Sequence, residues 1–415
     1  MGRIFCLFML FSGPGLLAKE VRIKFDDLRK LVETQNERIL AATHESGAAK
    51  GREGHLGRSF LPRIEAHVAQ ESFQTGTRDT KTQPDYGARA SFNLYNGGRD
   101  RLREARLQVQ TQRKELEARA WVTEELGKAR ELYWTVVYRK NLLALIKEMA
   151  NVNSMNLKAA QRRVRSGVAT TSDRLEFEMN AIELKRKLGE AELGTRAASR
   201  NLLILLGFPP DDALLTETEI THLGEWESEI QHSHQDHDYL VKPYELRSVE
   251  TDLAAKEVAR TWIPRIDAYA GWNQYNQREE DPPSARERQE HVIGVRLEMS
   301  LFDGFSAQRE AEALHKEALA AKLAALYYRK ENEAHVETEF DELRFLHDRV
   351  HEADENIKSA QKYYRITQSE YARGVKNSPD VLGASEKLFD MKLKRLEMVR
   401  DFQIARSHVL SKIGK

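Results

Sequence analysis

The chain repeats itself at a fixed spacing. Leu-Tyr-Asn-Gly at Leu94–Gly97 returns as Leu-Phe-Asp-Gly at Leu301–Gly304, which lies 207 residues further on. The same spacing relates three later pairs of landmarks, namely Gly167 with Gly374, Asp173 with Asp380, and Gly207 with Gly414. An offset kept over so long a stretch indicates a duplication. The fold must therefore contain two similar repeats, 19–207 and 244–415, separated by an irregular insertion at 208–243.

Composition limits the classes of function that are open to the chain. Charged residues make up 31% of the 415 residues, and the formal net charge is zero. With neither a basic excess nor an acidic tail, the sequence predicts no nucleic-acid partner. The abundance of Ala, Leu, Glu, Lys and Arg favours long helices or coiled coils. The sequence contains no evident catalytic triad, phosphate-binding loop or CxxC motif, so we expect no enzymatic activity.

The first residues have the pattern of a secretory signal. Arg3 precedes the apolar run Ile4–Phe11, which contains Cys6, the only cysteine. Glycine and proline follow, and Ala18 suits cleavage, which predicts a signal peptide over 1–18. The alternative is the disordered N-terminus of a cytosolic protein. No later stretch approaches the ~20 apolar residues of a membrane helix, so any membrane crossing must use strands.

Two pairs of alternating segments precede the longest helical stretches. The predicted strands cover about 62–73, 86–96, 264–276 and 290–302. In the last of these, Ile293, Val295 and Leu297 alternate with more polar residues that include Arg296 and Glu298. Period-two alternation over about ten residues fits a tilted membrane strand, and it fits a soluble, half-buried sheet equally well.

The sequence predicts a long helical hairpin in each repeat. No proline occurs within 85–208 or 284–378, and apolar residues there recur at spacings of three and four. The pattern predicts hairpins over 97–207 and 304–414, with turns at 165–173 and 373–380. An arm of ~68 residues would extend for roughly 100 Å. Its narrow apolar seam requires neighbouring helices, as in a coiled coil. Glycine at each turn supplies the left-handed conformation that ends a helix.

This ordered series resembles the TolC-type outer-membrane channel family. The resemblance rests on a strand ending in Leu-Tyr-Asn-Gly-Gly, a long helix, a Gly-Val turn with Asp six residues after the glycine, and one repetition of the whole. It implies a mainly α-helical protein with a membrane β-barrel, in which a trimeric, twelve-stranded barrel continues into an α-helical periplasmic tunnel. A closed ring of subunits would also remove the open sheet edges that a bilayer forbids.

The resemblance also implies a function and partners. The chain would form the exit duct of a tripartite efflux or type I secretion system in the outer membrane of a Gram-negative bacterium, with a large periplasmic part. Its partners would be two further copies of itself, a periplasmic adaptor (membrane fusion protein), an inner-membrane pump and outer-membrane lipid. The cargo, small molecules or secreted proteins, stays open. A coiled-coil scaffold is the alternative from another class.

Site residues follow from the same resemblance. Asp380 would line the pore constriction, where three like charges attract cations. Asp173, Tyr371 and Lys376 would close the tip, although Lys376 stands where some members have arginine and Gly383 stands where a second acid is found. Adaptor contacts are expected at Arg165, Gly167, Val168, Thr171, Arg373, Gly374, Val375 and Ser378. The simpler interpretation of all these positions is that they are capped helix turns with local ion pairs.

Two further groups of residues complete the predictions. Arg89, Arg296 and Glu298 would face the lumen of the barrel. The histidines of His-Ser-His-Gln-Asp-His, at His232, His234 and His237, suit a solvated loop better than a metal site, since no fourth ligand is positioned. We therefore expect no metal and no cofactor.

Overall fold

The computed structural model describes residues 20–73, 81–216, 238–276 and 287–412. The predicted signal peptide and the three histidines of the insertion lie outside the described residues. The chain divides into two units. The hairpin unit comprises residues 1–41, 119–237 and 331–415, and the sheet unit comprises residues 42–118 and 238–330.

The elements follow the duplicated order. The strands are β1 (Glu20–Arg22), β2 (Arg63–Phe73), β3 (Lys81–Asn96), β4 (Ala213–Leu215), β5 (Arg265–Asn276) and β6 (Glu287–Glu298). The helices are α1 (Leu28–Gln35), α2 (Glu37–Arg52), α3 (His55–Ser59), α4 (Arg99–Arg165), α5 (Thr171–Leu205), α6 (Asp238–Val258), α7 (Ser306–Ala372) and α8 (Ser378–Lys412). Among the described residues, no helix combines the length and apolar character that crossing a lipid bilayer requires.

Three predicted boundaries were wrong. Strand β6 ends at Glu298 rather than near 302, because its last partner is Arg265, and the preceding Pro264 has no N–H to extend the ladder. Strand β3 begins at Lys81 rather than near 86. Its first residues pair with β2 through backbone hydrogen bonds, which do not require the apolar alternation used to predict the strand. Helix α6 begins at Asp238, within the predicted insertion, because Pro243 removes one hydrogen bond without ending the helix.

In the sheet unit, four antiparallel strands pair in the order β2-β3-β5-β6. The register sets Ile64 opposite Ala90, Ala90 opposite Ala270, and Ala270 opposite Ile293. The apolar side chains of the four strands therefore lie on the same face of the sheet. That face is open in the single chain, where Ile64 is 74% exposed and Ile293 is 88% exposed.

Each strand pair passes into a long helix through a tight turn. In the first copy, Gly97 and Gly98 have φ values of 60° and 71°, which favour glycine. Asp100, in the first turn of α4, accepts hydrogen bonds from the side chains of Asn93 at 2.7 Å and Asn96 at 3.3 Å. His55 of α3 lies 3.1 Å from the same carboxylate. These contacts fix the start of α4 against the sheet.

In the hairpin unit, the largest core surrounds the middle of α4. Tyr133 is fully buried there, beside Leu28 of α1 and Leu202 of α5. Strand β1 pairs in parallel with β4 of the insertion. Lys140 of α4 holds β4 by donating to the Leu214 carbonyl at 3.1 Å. Burial lowers the pKa of this amine. The insertion is therefore tied to the hairpin unit rather than wholly irregular.

Buried residues recur every seven positions along the long helices. On α5 the buried positions are Phe177, Leu184, Ala191 and Ala198. On α7 they include Val336, Leu343 and Val350, followed by Ala353 and Ala360. A sustained seven-residue repeat is the seam of a coiled coil, which confirms the prediction of packed helical hairpins.

Candidate functional site at the hairpin turns

Both long helices, α4 and α7, end in the same backbone motif. Gly167 has a φ of 71° and donates to the Val164 carbonyl at 3.1 Å, while Val168 donates to the Arg163 carbonyl at 3.0 Å. This pair of bonds is a Schellman motif, which needs the left-handed conformation at its glycine. The sequence therefore ends α4 at a defined residue and leaves Val168 at the tip, where it is 64% exposed.

The second turn repeats this geometry. Gly374 has a φ of 84° and donates to the Tyr371 carbonyl at 3.0 Å, and Val375 donates to the Glu370 carbonyl at 3.0 Å. Val375 is 69% exposed. Because both copies keep the glycine and the exposed valine, the duplication preserves the surface of the tip as well as its backbone.

The returning helix α5 begins with a capping box. Thr170 accepts a hydrogen bond from the Asp173 N–H at 3.4 Å, and Asp173 Oδ2 accepts from the Thr170 N–H at 2.9 Å. In the second turn, Asp380 Oδ2 accepts from the Asn377 N–H at 3.1 Å. Each aspartate thus satisfies a backbone donor at the start of its helix.

A hydrogen bond joins the two turns. Asp173 Oδ1, which takes no part in the capping box, accepts a hydrogen bond from the backbone N–H of Ser378 at 3.3 Å. Ser378 is fully buried, and its hydroxyl lies 3.3 Å from the hydroxyl of Tyr371. Asp173, Ser378 and Tyr371 therefore form one connected group within a single chain.

Arg163, which the sequence did not single out, completes this group. Its guanidinium carbon lies 4.2 Å from the centre of the Tyr371 ring, and Nη1 donates to the Tyr371 carbonyl. A guanidinium over an aromatic face is attracted by the ring quadrupole. The first hairpin therefore holds the end of the second hairpin through a side chain four residues before its own turn glycine.

A small apolar cluster underlies these polar contacts. It consists of Ala160, Phe177, Tyr371 and Val381, and each of them is buried. Above it, Asn153 donates to the Phe177 carbonyl at 2.9 Å and accepts from Asn180 at 3.2 Å. A satisfied polar group within an apolar seam sets the register of the paired helices. The tip is therefore an ordered, packed structure in the single chain.

Two carboxyl groups of the first turn have opposite pKa shifts. Burial pushes the pKa of Asp173 upwards, but the hydrogen bonds from Thr170 and Ser378 outweigh it, so that its pKa lies below the ordinary value. For Glu176, burial and the nearby charge of Asp173 together raise the pKa. Glu176 Oε2 is buried and has no hydrogen-bond partner among the described residues. Protonation of Asp173 therefore lowers the stability of the fold, whereas protonation of Glu176 raises it.

The other predicted tip residues fall into two classes. Seven of the expected adaptor contacts are exposed, namely Arg165, Gly167, Val168, Thr171, Arg373, Gly374 and Val375. The expectation for Ser378 needs correction, because its side chain is buried under Tyr371 and is not on the tip surface. Lys376 lies 3.8 Å from Asp380 in its own turn, so in the single chain this lysine does not pair with Asp173.

The three residues expected at a lumen share the polar face of the sheet. Arg89 is opposite Glu65, Arg296 is opposite Asp267, and Glu298 is opposite Arg265. Each cross-strand pair joins opposite charges, which stabilises neighbouring strands. Arg296 also lies over the ring of Tyr269 at 5.2 Å. In the described part of the chain, no group of three or more His, Cys, Asp or Glu side chains is arranged for a metal ion.

Residues 246–414 match the model of the outer membrane efflux protein family. The second half of the chain is an outer membrane efflux protein domain. This efflux domain includes β5, β6, α7 and α8, and therefore the second turn with Tyr371 and Asp380. The family resemblance inferred from the sequence is confirmed by this match.

Solved structures share the fold of the efflux domain and of the repeat that precedes it. CusC matches 98% of this chain and 95% of its own, with a TM-score of 0.76 at 14% identity. The outer-membrane channel CmeC of Campylobacter jejuni matches 94% and 85%, with a TM-score of 0.78 at 12% identity. VceC of Vibrio cholerae matches 94% and 96%, with a TM-score of 0.73 at 14% identity. No curated protein sequence matches the chain.

Proposed function

We propose that three copies of this chain form the exit duct of a tripartite efflux or type I secretion system. The duct crosses the outer membrane of a Gram-negative bacterium and extends into the periplasm. There it works with a periplasmic adaptor and an inner-membrane pump. The family match of residues 246–414 and the fold shared with outer-membrane channels support this proposal.

The sheet carries the proposal. One face presents exposed apolar side chains, and the other presents charged pairs such as Arg89 with Glu65. In water an apolar face of this kind is normally covered, whereas a lipid bilayer requires it. Within the described residues, β2 and β6 each pair with one strand only. A bilayer does not tolerate such edges, so several chains must close a ring.

The hairpin turns suit a docking role. Their exposed valines and arginines form a surface on which an adaptor can dock, while Asp173, Tyr371 and Arg163 hold the two turns together. Asp380 of three copies around one axis would give a ring of negative charge. Such a ring favours cations and discriminates against anions.

The deciding experiment uses the purified full chain. Its mass in detergent measures the number of copies, and planar-bilayer recordings measure conductance. We expect a trimer with discrete, cation-selective channels. Expression in a bacterium lacking its own exit duct, together with a matching adaptor and pump, should restore export. A monomer that gives no channels would overturn the proposal.

A further inference from the structure

The duplication includes the segment that leads into each strand pair. Residues 58–66 read Arg-Ser-Phe-Leu-Pro-Arg-Ile-Glu-Ala, and residues 260–268 read Arg-Thr-Trp-Ile-Pro-Arg-Ile-Asp-Ala. The offset is 202 residues here and 207 residues in the second strand of each pair. The structure keeps both offsets, since Ile64 pairs with Ala90 and Ile266 pairs with Leu297. The β2–β3 and β5–β6 ladders are therefore equivalent in register.

One ladder of the sheet has no counterpart within the chain. Strand β3 pairs with β5 at the seam between the two copies, where Ala90 is opposite Ala270. By the same offsets β6 is equivalent to β3, and β2 is equivalent to β5. Yet β2 and β6 are the two edges of the sheet. The equivalent of the β3–β5 seam can therefore form only between two chains.

We propose that β6 of one chain pairs with β2 of the next in the register of the β3–β5 seam. This sets Leu297 opposite Val68 of the partner subunit and Met299 opposite the partner's Ala66. The inference rests on the proposed function in one respect, namely that the chains form a closed ring. It adds which residues meet at the junction between subunits.

Charge complementarity supports this register. It sets Glu298 opposite His67 of the partner subunit, whose ring N–H can donate a hydrogen bond to the carboxylate. Beyond the bulge between Asn93 and Tyr95 in the β3–β5 seam, Asp303 falls opposite Arg63 of the partner subunit. Groups of opposite sign directly across a ladder stabilise it, and like charges destabilise it.

Neighbouring registers fit worse. A shift by two residues in one direction sets Glu298 opposite the partner's Glu65, which brings like charges together. A shift by two in the other direction sets Asp303, beyond the same bulge, opposite the partner's Glu65, which again brings like charges together. A shift by a single residue turns every apolar side chain of one strand to the polar face. The transferred register avoids all three faults.

Contacts beside the seam point to a second copy as the occupant of the free edges. A Cβ on Gly97 would lie 2.9 Å from Cβ of Ile263, so this glycine is covered by the other copy of the repeat. The equivalents are Gly304, where an added Cβ would meet nothing within 4 Å, and Leu61, which is 63% exposed. Gly304 and Leu61 therefore lie at opposite edges of the sheet, and each lacks the contact that its equivalent makes at the seam.

Phe305 gives this junction an individual feature. It has a φ of 65°, which is rare for a bulky residue, at the position where the first copy has Gly98. A Cβ on Gly98 would lie 2.8 Å from Arg260 Nη1. By equivalence Phe305, which is 58% exposed in the single chain, meets Arg58 of the partner subunit. A guanidinium beside this ring gives a favourable cation–π contact that the single chain lacks.

Cysteine pairs test the register directly. In a Cys6→Ser background, Leu297→Cys is combined with Val68→Cys, and the controls combine it with Ala66→Cys or Gln70→Cys. Directly opposite residues have Cβ atoms close enough for a disulfide, whereas diagonal ones are about 7–8 Å apart. We expect the matched pair to give about tenfold more crosslinked chain on denaturing gels than either control. Met299→Cys with Ala66→Cys is a second matched pair.

A charge exchange provides a readout that does not depend on cysteine. Asp303→Arg or Arg63→Asp alone should lower the melting temperature of the oligomer. The double exchange should restore the loss except for the part that comes from the hydrogen bond of the Ala307 N–H to Asp303 Oδ2 at 2.9 Å. A trimer that conducts but crosslinks best in a shifted pair, or not at all, overturns the register and leaves the proposed duct intact. A chain that stays monomeric and gives no channels overturns both.

Discussion

The guanidinium of Arg163 lies over the ring of Tyr371, with its central carbon 4.2 Å from the ring centre, and so links the first hairpin to the end of the second. Asp173 makes the reciprocal link by accepting a hydrogen bond from Ser378. A conformational change that separates the two turns must break both contacts; otherwise the two hairpins move together. The following predictions use this arrangement.

Replacing Arg163 with alanine should loosen the tip. The variant loses the contact over the Tyr371 ring and the hydrogen bond to its carbonyl, which together contribute about 1–3 kcal/mol. We expect a larger resting conductance in planar bilayers and unimpaired trimer formation. Arg165→Ala is the matched control, because Arg165 is exposed at the same helix end. Equal conductance in the two variants would remove Arg163 from the closure.

Asp380→Asn should reduce cation selectivity. Three neutralised side chains would weaken the negative potential at the proposed constriction without changing its size, since the amide is nearly isosteric. The ratio of cation to anion permeability, taken from reversal potentials in a salt gradient, measures this. Asp390→Asn, at an exposed position of the same helix, should leave the ratio unchanged. If the Asp380 variant keeps its selectivity, the ring lies elsewhere.

Gly374→Glu should block export without preventing trimer assembly. A glutamate adds strain at a φ of 84° and puts a charge in the centre of the proposed adaptor surface. Gly374→Asn tests the backbone separately, because asparagine tolerates the left-handed region. We expect the Asn variant to export and the Glu variant to fail in a drug-susceptibility assay. Export by the Glu variant would show that this turn is not the docking surface.

Acid should affect Asp173 and Glu176 in opposite ways. Asp173 has a lowered pKa, so its contribution to stability is present above its unfolded pKa and is lost as the pH falls through the folded value. Glu176 has a raised pKa, so its ionisation disfavours the folded state as the pH rises through the folded value. Asp173→Asn should therefore lower the melting temperature at pH 7 more than at pH 3.

Glu176→Gln should do the reverse and raise the melting temperature at pH 7, with little effect at pH 3. Melting temperatures of the trimer across this range are the measurement. Glu192→Gln, at an exposed position of α5, is the control and should change neither value. A loss of stability in the Glu176 variant at neutral pH would contradict the pKa direction.

Ile293→Arg should impair insertion into a membrane. Ile293 is 88% exposed on the apolar face of the sheet, and an arginine on a lipid-facing strand costs about 2–4 kcal/mol at mid-depth. Val292→Arg, on the opposite face of the same strand, should be tolerated. The fraction of chain folded into vesicles, measured by resistance to protease, distinguishes them. Equal yields would mean that this face does not contact lipid.

The repetition and periodicity of the sequence predicted most of the fold. Gly167 and Gly374 placed both turns, because only the left-handed conformation closes a Schellman motif. The alternation around Ile293 placed an apolar face, and the register of four strands then combined the faces into one. Strand ends were less predictable, since the end of β6 depends on Pro264, which lies just before the partner strand β5.

The contacts at the tip were less predictable than its position. Tyr371 and Asp173 were assigned to the tip by the family resemblance, which fixes their distances from the turn glycines. Arg163 was missed because its partner lies 208 residues away in the chain, and no local pattern distinguishes it from the arginines around it. Ser378 was expected at the surface because the family resemblance assigns its position to the adaptor contact, whereas packing of the two hairpins buries it.

The apolar face and the single-sided pairing of β2 and β6 have a consequence for the newly made protein. In an aqueous compartment, a single copy exposes unpaired strand edges to which other strands can add, and it also exposes a large apolar surface. Both features drive polypeptides to aggregate. The unassembled chain must therefore be short-lived or bound to another protein. We expect its biogenesis to depend on holding chaperones until three copies have met.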